Sequence, residues 1–243
     1  MKGLNRRTFI SKFVWGVLGF FTVVTWPSRR LFAGIFSFWR GSEYVGETRD
    51  GIYKKFYVQY YKSFKRIKAA DWQLKVGGLC ENPQNLSLSS IRAFPLKEQV
   101  SRVKCVECWS AKAKWRGFAL ADLEQVVRPL PEAVGVLFRC ADRYVEYLSL
   151  KDLHHKRTLL VHTMNDAVLS DEHGFPLRVI IPFKYGYKSP KAILEMEFVG
   201  ESKKGTWSKI GPYSVDATIL PGYDHPLDRG KKRRRIFGGE IFD

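Results

Sequence analysis

The sequence predicts a mixed α+β domain in which strands dominate and helices are short. Three observations carry this. Most apolar segments are short runs of strand length, bounded by turn residues. A clear 3.6-residue period appears in one place, "ALADLEQVV", residues 119–127. No Gly-rich phosphate loop and no G-x-G-x-x-G sequence is present, so a nucleotide-binding α/β fold has no direct support.

The elements follow in chain order. Residues 42–70 are basic, aromatic and irregular. "WQLKVGGL", residues 72–79, alternates and reads as a strand ending at Gly77–Gly78. "LSLSSIRAF" fits a short helix with Ser at its start. "VSRVKCVE" reads as a strand running into a cysteine, and Gly117 beyond it reads as a turn. After the 119–127 helix come strand-like "GVLFRCAD", "YVEYLSL", "RTLLVHTM" and "PLRVIIPF". "SPKAILEMEFV" mixes signals.

The chain has 243 residues and is 45% hydrophobic, enough for one good core. It carries 41 Lys+Arg against 24 Asp+Glu, a formal charge of +17, concentrated at the ends. Residues 1–70 hold Arg6, Arg7, Arg29, Arg30, Arg40 and Arg49 against three acids, and "RGKKRRR" spans 229–235. No helix-turn-helix pattern, paired zinc finger or RNP-like aromatic signature accompanies the charge, so nucleic acid is not expected as a partner. An anionic membrane surface suits the basic ends better.

The N-terminus reads as an address. Arg6 and Arg7 precede Phe9, and an uncharged apolar run, Phe13 to Trp26, follows. This is the twin-arginine export pattern. The run of 14 residues is short for a spanning helix. No A-x-A cleavage site is evident, so residues 1–40 are read as a twin-arginine signal or an anchor. Residues 41–228 form the single working domain, and 229–243 a basic tail. The expected location is the periplasm or the outer face of the inner membrane. Twin-arginine export moves folded proteins, which favours a tightly held prosthetic group.

The cysteines are Cys80, Cys105, Cys108 and Cys140. Cys105 and Cys108 form a C-x-x-C, but zinc needs a second ligand pair. Cys80 and Cys140 stand alone, and His154 and His155 are adjacent, which splays them apart. A thioredoxin-like site calls for the C-x-x-C to open a helix, whereas Trp-Ser-Ala-Lys follows here. A Cys105–Cys108 disulfide closes too small a loop to stabilise much. Cys80, Cys108 and Cys140 also suit small buried apolar positions. The remaining reading is a lone thiolate on a soft-preferring metal whose other ligands come from a cofactor. Cations for a cofactor phosphate are concentrated in "DEHGFPLRVIIPFKYGYKSPKAI", residues 171–193, as Arg178, Lys184, Lys188 and Lys191.

Two stretches together resemble the sulfite-oxidase-like molybdopterin family. "RVKCVECWS…KWRGFALADL" is similar to that family's cysteine segment, and "EHGFPLRVIIPFKYGYKSPKAI" to its second signature, about 65 residues on. The branch most resembled reduces methionine sulfoxide in periplasmic proteins. The resemblance implies a mixed, β-rich molybdopterin-binding fold and a molybdenum–molybdopterin cofactor.

It also implies roles. Cys105 matches the molybdenum-ligating cysteine and is the catalytic and metal-binding residue. Tyr57 and Val58, Cys140, His173, Arg178, and Lys188, Ser189, Pro190 and Lys191 match cofactor-binding positions, the last four around its phosphate. Lys54 stands where the branch has Asn, Val58 where it has Glu, and Cys108 where Gly or Ala is usual. Sulfite oxidases carry an Arg pair shortly after the cysteine, and Trp109 and Ser110 stand here. The implied activity is oxygen-atom transfer, most simply reduction of a methionine-sulfoxide-like substrate. The alternatives are oxidation of a small sulfur compound, as in sulfite oxidases, or a non-enzymatic or zinc-binding exported domain. No C-x-x-C-H haem attachment exists, because Trp109 follows Cys108. The expected partner is therefore a membrane electron donor, haem- or quinone-linked.

Overall fold

The computed structural model describes residues 43–48 (as backbone), 56–106 and 109–219. Among them strands dominate, in three sheets. A two-stranded ribbon pairs β1 (Glu43–Thr48) with β2 (Phe56–Tyr60), antiparallel. The second sheet runs β4-β3-β12-β7-β8, formed by Gln84–Ser87, Gln73–Gly78, Ile193–Val199, Gly135–Cys140 and Val145–Ser149. Its β3–β12 pair is parallel; its other pairs are antiparallel. The third sheet runs β10-β9-β6-β5, formed by Ala167–Val168, Leu159–Met164, Ser110–Phe118 and Lys97–Lys104, with β11 (Arg178–Ile180) also on β9.

The helices are α1 (Leu88–Arg92), α2 (Leu120–Val127), α3 (Leu150–Leu153) and α4 (Thr206–Ile210). Helix α1 starts where Ser87 Oγ accepts from the Ser90 amide at 3.1 Å, the usual use of an N-cap hydroxyl. Helix α2 starts where Asp122 Oδ2 accepts from the Ala119 amide. It ends at Arg128, which is left-handed at φ 50° and donates its amide to Glu124 O. Its periodic residues Leu120, Leu123 and Val127 are fully buried, as their spacing predicts.

The principal core lies between the two large sheets. Leu74, Val76, Phe138, Met196 and Phe198 from one meet Phe118, Leu160 and Val179 from the other, with Leu120 and Leu123 closing an edge. A second cluster, Trp115 with Phe56, Val103, Val161 and Ile180, underlies the ribbon. This is the β-rich α+β architecture the sequence predicts.

Three expectations are corrected. The region read as irregular, 42–70, contributes β1 and β2. Gly117 is not a turn but lies within β6, where a Cβ would fall 1.9 Å from Leu160 O. Only glycine lets β6 and β9 approach this closely. The mixed segment resolves into β12, a central strand paired on both edges, with Met196 and Phe198 in the core and Glu195 and Glu197 on the opposite, partly exposed face. No helix among the described residues is long and apolar enough to cross a membrane. Residues 1–40, Lys54, Cys108 and the 229–243 tail lie outside the described residues.

Candidate cofactor cavity

Strand β5 ends at Lys104, and Cys105 follows directly, partly accessible, its amide donating to Trp109 O at 2.9 Å. That bond turns the chain back into β6 and leaves the thiol at the rim of a cavity. Beside Cys105 the walls are apolar: Val103, Val106, Tyr57 and Trp109. The Trp109 ring lies 6.1 Å from Phe56 and 5.9 Å from Tyr57, centroid to centroid.

Strand β2 crosses the cavity from this end to the other. Phe56 and Val58 point inward and are buried. Four residues of strand span roughly 13 Å, so Tyr60 stands well away from Trp109. Here the walls change character. Lys191 Nζ sits 4.2 Å from the centroid of the Tyr60 ring and donates to Glu172 O at 2.8 Å. The Tyr60 hydroxyl donates to Asp171 O, and burial pushes its pKa well up. Gly174 makes the fit possible: its φ is 97°, and a Cβ there would lie 2.4 Å from Lys191 Cβ.

Arg178 is the second cation in the wall, 6% exposed. Its Nη1 donates to His173 O at 3.0 Å, its guanidinium lies 5.2 Å from the Trp115 ring, and its buried Nε has no partner. Burial draws its pKa down to about 10. Burial, and then the Arg178 charge, draw Lys191 down to about 7. Among the described residues no carboxylate forms an ion pair with either. Asp142, also in the wall, accepts the Tyr61 amide at 2.8 Å and the Tyr144 amide at 3.1 Å, and burial raises its pKa.

The cavity therefore has a thiol beside apolar side chains and, among the described residues, two cations with no carboxylate ion pair, Lys191 at the Tyr60 ring and Arg178 at the Trp115 ring. Buried cations are ordinarily paired. An orphaned guanidinium N–H beside a second cation fits the phosphate of a cofactor. Among the described residues no three of His, Cys, Asp and Glu converge as metal ligands. A metal at Cys105 would take its other ligands from the cofactor, and the residues present fit a metal-bearing pterin.

Of the sequence-derived site residues, Cys105, Tyr57, Val58, His173, Arg178, Ser189, Pro190 and Lys191 line this one cavity. Two do not. Cys140 packs in the principal core behind the wall, and burial holds its thiol far above its ordinary pKa. Lys188 is 2% exposed, with Nζ 2.6 Å from both Glu146 Oε1 and Tyr147 O. Its charge is spent on Glu146 rather than offered to a ligand. The sequence reading missed Tyr60, Tyr61, Asp142 and Glu172. Asp142 had a signal, as a carboxylate two residues after Cys140 in "RCAD".

The Lys191 environment has a consequence for stability. The unfolded chain holds this proton up to about pH 10.4, whereas the folded, cofactor-free chain releases it near 7. Between those values the unfolded state binds more protons, so this group makes stability rise with pH. The cofactor-free protein should gain thermal stability from pH 7 to 9 relative to Lys191→Met. Parallel melting profiles for the two would contradict this.

Comparison with known proteins agrees. A family model described as the oxidoreductase molybdopterin binding domain matches residues 61–207. The chain is similar to the protein-methionine-sulfoxide reductase catalytic subunit MsrP of Campylobacter jejuni, 35% identical over 181 residues, covering 67% of this chain and 61% of that protein. It is likewise similar to MsrP of Xanthomonas axonopodis, 33% identical over 195 residues, covering 73% and 61%. The chain thus spans about three fifths of the length of these relatives. Among solved structures, the sulfane dehydrogenase SoxCD of Paracoccus pantotrophus superposes with a TM-score of 0.57 at 16% identity, over 60% of this chain and 42% of that one. That likeness concerns the fold.

Proposed function

Because the chain belongs to the molybdopterin-binding oxidoreductase family, we propose that it reduces a neutral sulfoxide of the methionine-sulfoxide type. The observation that carries this is the polarity of the cavity. The Arg and Lys side chains lining it are Arg178, held at the Trp115 ring, and Lys191, held at the Tyr60 ring. The walls beside Cys105 are Val103, Val106, Tyr57 and Trp109. A thioether-like group fits among these apolar and aromatic side chains, whereas a sulfite dianion gains no charged partner from Val103, Val106, Tyr57 or Trp109.

The overall change is R–SO–R′ + 2 H⁺ + 2 e⁻ → R–S–R′ + H₂O. When bound, a molybdenum pterin supplies the two-electron redox chemistry and the affinity for the oxygen atom. The chain supplies the rest. The Cys105 thiolate holds the metal, a bond for which coordination keeps the sulfur deprotonated. Arg178 and Lys191, with Ser189 and Pro190 beside them in the wall, would hold the cofactor phosphate. Tyr57 and His173 flank the bound group. Trp109 and Val106 exclude water from the face where the sulfoxide enters.

The electrons come from a separate partner, which we place in the membrane as a haem- or quinone-linked subunit. Residues 1–40 serve as a twin-arginine signal or anchor, giving a periplasmic location. The basic ends favour anionic lipid nearby. MsrP proteins, by name, reduce protein methionine sulfoxide, which supports the choice of substrate.

The test is elemental analysis of protein made in a host able to synthesise molybdopterin, followed by turnover of dimethyl sulfoxide and methionine sulfoxide against sulfite. About one molybdenum per chain and turnover of the sulfoxides alone are expected. Protein lacking molybdenum, or faster with sulfite, overturns the proposal.

A further inference from the structure

We infer that the Arg178–Lys191 cage takes its anionic ligand together with a proton, which settles on Lys191 Nζ, so that the cage fills more tightly in mildly acidic than in mildly alkaline medium. The inference rests on the proposed function for the identity of the natural ligand, a cofactor phosphate, but not for the cage's chemistry.

The backbone geometry sets up the effect. Arg178 and Lys191 are antiparallel bridge partners. Residues directly opposite in such a pair have Cβ atoms about 4.5–5.5 Å apart, and like charges there oppose each other. The contacts that hold the two head groups carry no negative charge: His173 O and the Trp115 ring for Arg178, Glu172 O and the Tyr60 ring for Lys191.

The surrounding carboxylates relieve the repulsion only in part: the fields of Asp142 and Glu172 favour the ammonium but do not outweigh burial and the Arg178 charge. From the turn after β7, Asp142 spends its oxygens on the Tyr61 and Tyr144 amides. Asp171 pairs with Arg66 at 2.8 Å. Glu172 is held ionised by its own backbone amide and Ser170, and adds a favourable field without touching the ammonium. Tyr60 and Cys140 stay neutral, their pKa values raised by burial. His173 is the remaining titratable group at the cage.

Two cations on directly opposed residues of a buried bridge favour loss of one proton. A guanidinium does not give one up; a Lys ammonium does. In the empty cage Lys191 is therefore the group that discharges, in keeping with its value of about 7. An arriving dianion reverses the balance. It pairs with Arg178 Nε, which has no other partner, and it makes the ammonium form of Lys191 the favoured one.

Sulfate is the suitable probe, because phosphate changes its own charge near neutrality and sulfate does not. The full-length chain, made in a host unable to synthesise the pterin, is titrated with sulfate at several pH values. The dissociation constant should weaken about tenfold from pH 6 to pH 8. Calorimetry at pH 8 in buffers of different ionisation enthalpy should count close to one proton taken up per sulfate bound. Lys191→Arg, whose cation does not discharge, should bind sulfate with a flat pH profile and no proton uptake. Lys191→Met should bind weakly throughout.

A flat profile in the wild type, a slope that survives in Lys191→Arg, or no sulfate binding overturns the inference. The proposed function fails separately. A chain with the sulfate slope but no molybdenum sinks the enzyme reading and keeps this one, and a molybdenum-loaded chain with a flat sulfate profile does the reverse.

Discussion

Replacing Cys105 with Ser is expected to bring sulfoxide turnover below roughly one per cent of wild type, since losing even an outer partner of a metal ligand costs about 10–100-fold. Molybdenum content should fall with it. Cys105, the proposed ligand, follows the end of β5 directly, and its amide donates to Trp109 O. A serine hydroxyl keeps that backbone bond and nearly the same volume, so the fold and its melting temperature should change little. What is lost is the soft, easily deprotonated donor that a transition metal selects. Cys108→Ser should retain most activity, because the proposed metal takes one thiolate from the chain. Turnover, metal-to-protein ratio and melting temperature, measured on both variants, check this. Equal loss in the two would make the site a two-sulfur one and refute the single-ligand assignment.

The parts of this architecture that were legible from sequence are those fixed locally. Ser87 caps α1 through an oxygen three residues from its amide partner, and Leu120, Leu123 and Val127 repeat at helical spacing. Strand β3 alternates because one of its faces is exposed. The cysteine segment and the 171–193 loop were legible because each carries several unusual residues close together.

The rest depends on contacts far apart in sequence. Strand β2 was hidden because both of its faces carry aromatic side chains, Phe56 inward and Tyr57 toward Trp109, which blurs the polar alternation. Gly117 looks like a turn until Leu160, 43 residues later, is known to lie against it. Lys188 shows the same limit at the site. Beside Ser-Pro-Lys, a lysine that faces a phosphate and one that faces Glu146 read identically in the sequence. So do a cavity-facing residue and its buried neighbour around Cys140 and Asp142.

The Lys188–Glu146 pair also yields a large expected effect on stability. Glu146 is 0% exposed and Lys188 2%. Around the Glu146 carboxylate, Lys188 Nζ lies at 2.6 Å, the Tyr147 amide at 3.0 Å and the Tyr144 hydroxyl at 2.8 Å. Gly205 packs against it so closely that a Cβ would fall 2.3 Å from Oε1. The carboxylate thus ties together Tyr144, the chain leading into Ser189–Lys191, and the start of α4, which carries Trp207; all contribute to the cavity wall. Even so, burial outweighs the attraction of Lys188 and holds the Glu146 pKa above its ordinary range. The pair therefore organises the wall without adding much net stability.

Breaking it on one side is another matter. Glu146→Gln keeps the shape but leaves Lys188 with no counter-charge, and should destabilise the protein by about 3–5 kcal/mol. Glu146→Leu with Lys188→Met removes both charges at similar volume and should recover most of that loss. Urea unfolding of the three proteins decides the matter through their midpoints at constant slope. A single variant within about 1 kcal/mol of wild type, a surface-pair value, would mean that the buried charge pair is not what holds this wall. A double variant as unstable as the single one would assign the cost to lost hydrogen bonds at Tyr144 and Tyr147 rather than to the stranded ammonium.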